Sequence, residues 1–122
     1  DPAAKFRGRC LNDSICSGPA LQKPLPAVII KFREGRIAWA ADIKAIFSRI
    51  RLQPEDRRFH RFIWPEEDGT DIVCEMTRLT FGINCSPFSA IRTTWRAADD
   101  AGPTMKEAAD AVRENLYVDD YL

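Results

Sequence analysis

The stretch Leu116-Tyr117-Val118-Asp119-Asp120-Tyr121-Leu122 sets two adjacent aspartates between two apolar pieces. Apolar and aromatic residues on both sides of a short polar centre favour two strands joined by a tight turn. A β-hairpin is therefore predicted here, with the aspartates at its turn. The plain alternative is a polar turn without further purpose, because aspartate is common in turns for its own local hydrogen bonding.

A third aspartate ends another apolar run. Residues 37–41 read Ile-Ala-Trp-Ala-Ala and lead into Asp42, which predicts a strand buried on both faces with a charge at its end. If this strand and the hairpin share a sheet, Asp42, Asp119 and Asp120 converge at its edge, where a cation would offset their repulsion. Magnesium prefers oxygen ligands and usually takes one or two carboxylates from protein. The alternative for Asp42 is that it only caps whatever follows.

The rest of the chain mixes helix and strand signals. The first 18 residues read as an irregular arm. An apolar run after Pro26 predicts a helix that stops at Gly35. Residues 53–56 favour a turn or a first helical turn, and the segments 59–64 and 72–76 favour a second hairpin.

Two helices are predicted before the final hairpin. Ser86 followed by proline is typical of an N-cap with proline at the first helical position, and Gly102-Pro103 ends that helix. Thr104, with a glutamate three residues later, has the spacing of a capping box and opens a helix to about residue 114. The pattern as a whole predicts an α+β fold.

Composition limits the class of protein. With 122 residues, 45% of them hydrophobic, we expect one modest core and a single globular unit. No run approaches the roughly 20 apolar residues of a membrane helix, so an intracellular location is expected, cytoplasmic or nuclear. Four cysteines without a C-x-x-C pair and one histidine do not suggest a zinc site, and we expect buried, reduced thiols.

Charge is balanced overall but clustered locally. The formal net charge of zero speaks against a domain that holds nucleic acid by its own field. A compact acidic group nevertheless occupies residues 66–68, and five arginines fall in a short central stretch: Arg49, Arg51, Arg57, Arg58 and Arg61. Composition alone favours a solvated surface for these runs.

Several motifs in order resemble one enzyme family. Tyr117-Val118-Asp119-Asp120 resembles the Y-x-D-D signature of reverse transcriptases. The segment 41–47, followed by 50–52 and 54–56, resembles the motif of the first catalytic aspartate, and 76–82 with 86–88 resembles the next palm motif. The opening segments, 4–9, 11–14 and 17–19, look most like the BEL/Pao group of LTR retrotransposons.

The resemblance implies a fold and a metal site. The fold would be a fingers and palm portion with a mixed or antiparallel sheet backed by helices. Asp42 and Asp119 would be the principal metal ligands, with Asp120 supporting the second metal and Ile43 offering its backbone carbonyl. The cofactor would be two Mg²⁺ ions, with Mn²⁺ as the alternative, as two-metal phosphoryl transfer requires.

The resemblance also implies nucleotide and primer contacts. The backbone amides of Ala45 and Ile46 would face the triphosphate, Phe81 and Gly82 would contact the incoming nucleotide and template, and the primer end would lie at Tyr117 and Val118. Phe47 would be the steric gate against a 2′-hydroxyl, although core packing explains an aromatic residue there equally well. Many retroviral enzymes have two adjacent aromatics at this point, whereas here Ser48 follows.

The implied activity is RNA-directed DNA synthesis on an RNA or DNA template with a primer, using deoxynucleoside triphosphates. Residues 1–122 would be a partial reverse transcriptase domain, truncated at both ends, within a polyprotein whose thumb and RNase H lie elsewhere. We expect it to be inactive alone and to expose apolar patches. The rival hypothesis is a non-catalytic retrotransposon remnant that acts at most as a nucleic-acid or protein interaction module. A weaker one is an unrelated α+β domain.

Overall fold

The computed structural model describes residues 1–122, which divide into two compact units. Unit 1 comprises Asp1–Cys16 and Phe47–Ser86, and unit 2 comprises Ser17–Ile46 and Pro87–Leu122. The sequence predicted a single globular unit; the structure instead forms each of two units from two separate chain segments. The predicted α+β class is confirmed, with antiparallel sheets.

The elements follow one another in a mixed order. The strands and helices are α1 (Leu25–Phe32), β1 (Ala41–Asp42), α2 (Ile46–Arg49), β2 (Arg61–Pro65), β3 (Asp71–Glu75), α3 (Ser86–Asp100), α4 (Lys106–Asn115), β4 (Leu116–Tyr117) and β5 (Asp120–Tyr121). Short 3₁₀ helices occupy Leu11–Asp13, Pro54–Phe59 and Pro103–Met105.

Unit 1 contains the central hairpin that the sequence predicted. β2 and β3 pair antiparallel over five residues, from Arg61 opposite Glu75 to Pro65 opposite Asp71. The first strand begins two residues later than expected because the preceding 3₁₀ helix extends to Phe59. The turn is closed by Asp68, whose carboxylate accepts hydrogen bonds from the backbone N–H and hydroxyl of Thr70. These bonds lower the pKa of Asp68.

The N-terminal arm is fastened within unit 1 by Asn12. Its side-chain amide donates to the carbonyl of Gly82 at 2.8 Å, and its side-chain oxygen accepts from the N–H of Asn84 at 3.0 Å. The Asn84 amide in turn donates to the Asn12 carbonyl at 3.0 Å. The arm therefore supplies hydrogen-bond partners for two backbone groups of the loop, the carbonyl of Gly82 and the N–H of Asn84.

Ser86 closes the same loop from its other end. Its hydroxyl is almost fully buried and donates to the carbonyl of Thr80 at 2.6 Å, while its N–H donates to the carbonyl of Ile83 at 3.0 Å. The sequence predicted this serine as an N-cap of the following helix. The helix does begin at Ser86, but the serine hydroxyl donates its hydrogen bond to Thr80 in the preceding loop.

Unit 2 contains the three predicted helices. α1 starts directly after Pro24 and has Pro26 in its first turn. Proline is tolerated there because the backbone N–H groups of the first helical turn have no partner within the helix, so the N–H that proline lacks is not missed. α3 and α4 are confirmed within a few residues. The predicted capping box of Thr104 with Glu107 is wrong: a 3₁₀ turn forms first, and α4 has Met105 at its N-cap without a side-chain hydrogen bond.

The long buried strand predicted over residues 37–42 is wrong in length and burial. Only Ala41 and Asp42 pair, and Ile37 and Trp39 are 88% and 63% exposed. The neighbouring strand β5 is only two residues long, so residues 37–40 have no partner strand. Trp39 stacks instead on the ring of Tyr121, with 4.7 Å between ring centroids.

The four thiols are free, as expected, but none is buried. Cys16 is exposed and the other three are intermediate. The prediction of buried thiols is therefore wrong, because Cys10, Cys16 and Cys85 lie in loops or turns and Cys74 lies in the β2–β3 hairpin, where they are only partly covered. None of the helices combines the length and the apolar character needed to cross a membrane.

Candidate functional site

The sheet of unit 2 brings the predicted metal ligands onto neighbouring strands. β5 is its central strand, with β1 on one side and β4 on the other, both antiparallel. Asp120 is the register partner of Asp42 on one side and of Tyr117 on the other. The N–H of Ile43 donates to the carbonyl of Asp119 at 2.8 Å, which carries the pairing one residue beyond the strands. Asp42, Ile43, Asp119 and Asp120 thus share one backbone ladder.

The register sets two carboxylates directly opposite each other. Because Ile43 and Asp119 form a hydrogen-bonded pair, the next pair along the ladder, Asp42 and Asp120, is a non-hydrogen-bonded one. The Cα atoms of such a pair lie about 4.5 Å apart and their side chains stand on the same face of the sheet. Like charges in this position destabilise a sheet. A cation bound between the two carboxylates would offset such repulsion.

The turn between β4 and β5 is strained at its first residue. Val118 and Asp119 form the two-residue loop, and Val118 has a φ of 59°. Two-residue hairpin turns need positive φ at this position and normally use Gly, Asn or Asp there. A β-branched residue with positive φ is a true outlier, and such strain is found preferentially at functional sites.

Asp42 and Asp120 offer the kind of ligand that Mg²⁺ prefers, which is oxygen, and the number of carboxylates that it usually takes from protein. Ion pairs elsewhere in unit 2 join Lys31 to Glu114, Arg96 to Asp100, and Arg113 to Asp99 and Asp110. The structure contains no cluster of three or more His, Cys, Asp or Glu side chains arranged to hold a metal ion. Two facing carboxylates nevertheless match the one or two that Mg²⁺ usually takes from protein, with water and phosphate as the other ligands.

The predicted nucleotide contacts divide between the two units. Phe47, Phe81 and Gly82 belong to unit 1, whereas Ala45 and Ile46 belong to unit 2 with the aspartates. Ala45 has a φ of 53° and Ile46 is buried. The predicted contact of their amides with a triphosphate remains a prediction, as does the primer contact of the half-buried Tyr117 and Val118.

Phe47 has the packing role that was weighed for it, and its role as a steric gate stays a prediction. Its side chain is buried and packs edge-on against Phe81, with 4.7 Å between ring centroids. Phe81 itself is 70% exposed, so most of its ring is open to solvent. Gly82 beside it has a φ of 83°, and a Cβ there would contact the ring of Pro2 at 3.4 Å. A glycine is required here on backbone grounds alone.

Three features escaped prediction from the sequence. Asn12 ties the arm to the Gly82 loop over 70 residues of chain, and no local pattern announces such a long-range bond. The strain at Val118 follows from a two-residue turn that lacks a glycine, which is a signal the sequence does carry. His60 hydrogen-bonds to the Thr80 hydroxyl at 3.3 Å, and burial lowers its pKa against the opposing effect of Asp56.

No protein-family model matches the chain, and neither a curated protein nor a solved structure matches it. The resemblance to reverse transcriptases therefore rests on the motifs themselves.

Proposed function

We propose that the β1-β5-β4 sheet carries the metal site of an RNA-directed DNA polymerase of the retrotransposon type. The observation that supports this most is the direct opposition of Asp42 and Asp120 on the adjacent strands β1 and β5, with Asp119 in the turn that joins β4 to β5. A purely structural sheet gains nothing from facing carboxylates. Binding of divalent cations would explain why two carboxylates lie opposite each other in this sheet.

The residues of the ladder would share the work of holding the cations. Asp42, Asp119 and Asp120 supply carboxylate oxygens, and Ile43 supplies its carbonyl. When bound, two Mg²⁺ ions would assist attack by a primer 3′-hydroxyl and stabilise the departing pyrophosphate. The short strands and the Ile43 to Asp119 hydrogen bond fix the spacing of the ligands, which is the contribution that protein makes to this chemistry.

Metal binding is the first test. Mn²⁺ binding followed by electron paramagnetic resonance should give one or two sites in the wild-type chain. Asp42→Asn and Asp120→Asn should each weaken binding by at least about ten-fold, since even outer-shell partners of a metal contribute that much. Glu107→Gln is the matched control, because it removes an acid from α4 of the same unit, away from the ladder. Equal affinity in all four proteins would remove the basis of the proposal.

Catalysis is the second test. Primer extension with Mg²⁺ and deoxynucleoside triphosphates, on a longer polypeptide that contains this sequence, should be abolished when Asp119 and Asp120 are both changed to asparagine. Incorporation that survives the double substitution would exclude these carboxylates from the reaction.

A non-catalytic interaction module is the second candidate. The observation in its favour is the exposed apolar surface of the β2–β3 hairpin in unit 1, where Ile63 and Val73 are 66% and 68% exposed. Wild-type chain without detectable Mn²⁺ binding, but with a ligand for this surface, would favour the module over the enzyme.

A further inference from the structure

Strand β1 is the end strand of the sheet in unit 2, with β5 on one side of it. The residues from 33 to 42 are all exposed, and residues 37–41 read Ile-Ala-Trp-Ala-Ala, without a charge or a proline. Natural sheets normally protect an exposed edge with charged residues, proline or a bulge. The outer edge of β1 lacks these in its apolar part, so it is suited to pair with a further strand.

The register with β5 decides which backbone groups of β1 face outward. Asp42 and Asp120 form a non-hydrogen-bonded pair, so the N–H and the carbonyl of Asp42 point away from β5. These groups alternate in direction along a strand. When β1 continues backwards along the chain, the groups of Ala38 and Ala40 therefore point outward as well. Outward donors and acceptors recur at every second residue, which is the pattern that an added antiparallel strand requires.

A second copy of the same edge meets these groups. In an antiparallel pair of two β1 edges centred on Trp39, the outward backbone groups of Ala38 face those of Ala40 in the other copy. The two tryptophans lie opposite each other in a non-hydrogen-bonded pair, where side chains come closest. Trp39 stacks on Tyr121 within each copy, with 4.7 Å between ring centroids. The four rings would therefore form one aromatic row on a single face of the joined sheets.

Charge selects the same register. With Trp39 at the centre, Arg36 of each copy lies opposite Asp42 of the other, and opposite charges in facing positions stabilise a strand pair. Moving the centre one residue towards the N-terminus sets Glu34 opposite Asp42. Moving it one residue towards the C-terminus sets Arg36 opposite Lys44. Like charges in facing positions destabilise a pair, so of these three registers only the one centred on Trp39 joins unlike charges.

We propose that two copies of this chain associate through residues 36–42, paired edge to edge in an antiparallel dimer with a twofold axis at Trp39. The interface is self-complementary, as a closed dimer requires. It lies in unit 2, whereas the apolar β2–β3 hairpin belongs to unit 1. Pairing requires no cation, so it does not depend on the polymerase proposal. A strand pair of this length is at the small end of specific interfaces, which predicts a weak, reversible dimer.

Sedimentation equilibrium in EDTA measures the association, at protein concentrations from about 10 µM to about 1 mM, the range that suits a weak interface. The wild-type chain should show a monomer–dimer equilibrium. Arg36→Asp should weaken dimerisation by at least about ten-fold, because both opposite-charge pairs become like-charge pairs. Arg33→Asp is the matched control, because it makes the same substitution at an exposed arginine at the C-cap of α1, outside the paired segment.

Two complementary variants test the register itself. Asp42→Arg alone should also weaken dimerisation, because it sets arginines opposite each other. A mixture of the Arg36→Asp and Asp42→Arg chains should form a heterodimer with the affinity of the wild type, since both facing pairs then join unlike charges. Ala40→Pro removes an outward N–H and should weaken dimerisation without changing the circular dichroism, because β5 pairs only with Ala41 and Asp42.

Three results would overturn the proposal. One is a wild-type chain that stays monomeric at the highest concentration, which would leave the edge to a strand of another protein. Another is a dimer that Arg36→Asp and Arg33→Asp weaken equally, or that Ala40→Pro leaves intact, because the contact would then lie elsewhere. The last is a mixture of folded Arg36→Asp and Asp42→Arg chains that associates no better than either alone. Asp120→Asn should dimerise like the wild type whatever its affinity for Mn²⁺, so either proposal can fail without the other.

Discussion

Val118 occupies a backbone conformation that β-branched residues rarely adopt, with a φ of 59° in a two-residue turn. Such a conformation costs about 1–3 kcal/mol, and glycine avoids the cost but adds entropy to the unfolded chain. Val118→Gly should therefore raise the free energy of unfolding by up to about 1 kcal/mol. Urea unfolding measures this change, and Val118→Ala, which keeps the Cβ, should gain less. A destabilised glycine variant would show that Val118 makes contacts worth more than its strain.

His60 should make stability depend on pH. Burial lowers its pKa below the ordinary value of 6.5, so the folded state binds the proton less readily than the unfolded state. The contribution of neutral His60 to the free energy of unfolding is complete above about pH 6.5. It is lost as the pH falls from there through the pKa of His60 in the folded state. The melting temperature should fall more between about pH 7.5 and pH 5.5 in the wild type than in His60→Gln. Parallel curves for the two proteins would contradict this.

At the scale of elements, the ladder of β1, β5 and β4 has a testable electrostatic cost. Asp120→Asn removes one of two facing carboxylates and should stabilise the metal-free chain by about 0.2–1 kcal/mol. Added Mg²⁺ should stabilise the wild type and reverse this order, because binding to the folded state adds to its stability. Urea midpoints in EDTA and in Mg²⁺ provide the measurement, with Glu107→Gln as control. An asparagine variant that is less stable in EDTA would mean that Asp42 and Asp120 do not repel.

Elements with local signals were predicted well. Prolines and glycines mark the ends of α1 and α3, and both hairpins follow from apolar runs around polar turns. The apolar run before Asp42 misled the prediction because a strand requires a partner, and the partner here is two residues long. Burial of a strand is a property of its neighbours, which a single stretch of sequence does not contain.

At the scale of the whole molecule, the site was predicted only in part. The pairing of Asp42 with Asp120 agrees with the motif order, but the division of the chain into two interleaved units has no local signal. Each unit carries nine basic and nine acidic side chains, so the neutral charge of the chain holds for each unit as well. Any attraction for nucleic acid must therefore be local.

The bond network of Asn12 joins the two segments of unit 1 and should contribute to its stability. Asn12→Ala removes one donor and one acceptor to the loop at 82–84 and should lower the free energy of unfolding by about 1–2 kcal/mol. Asp13→Ala, which affects only a bond within the arm, should cost less. Urea unfolding compares the two, and equal losses would mean that the bonds of Asn12 between the two segments stabilise unit 1 no more than the local bond of Asp13 does.

The interleaved segments also have a consequence for how the chain folds. β1 is made early in synthesis, but its only partner, β5, lies almost 80 residues later. Closing so long a loop is entropically expensive, and contacts of high sequence separation slow folding. The helices and the β2–β3 hairpin can form from neighbouring residues, whereas the strand pair that aligns the aspartates must wait for β5. The proposed metal site is therefore assembled after these local elements, and until β5 is in place Asp42 has no carboxylate opposite it.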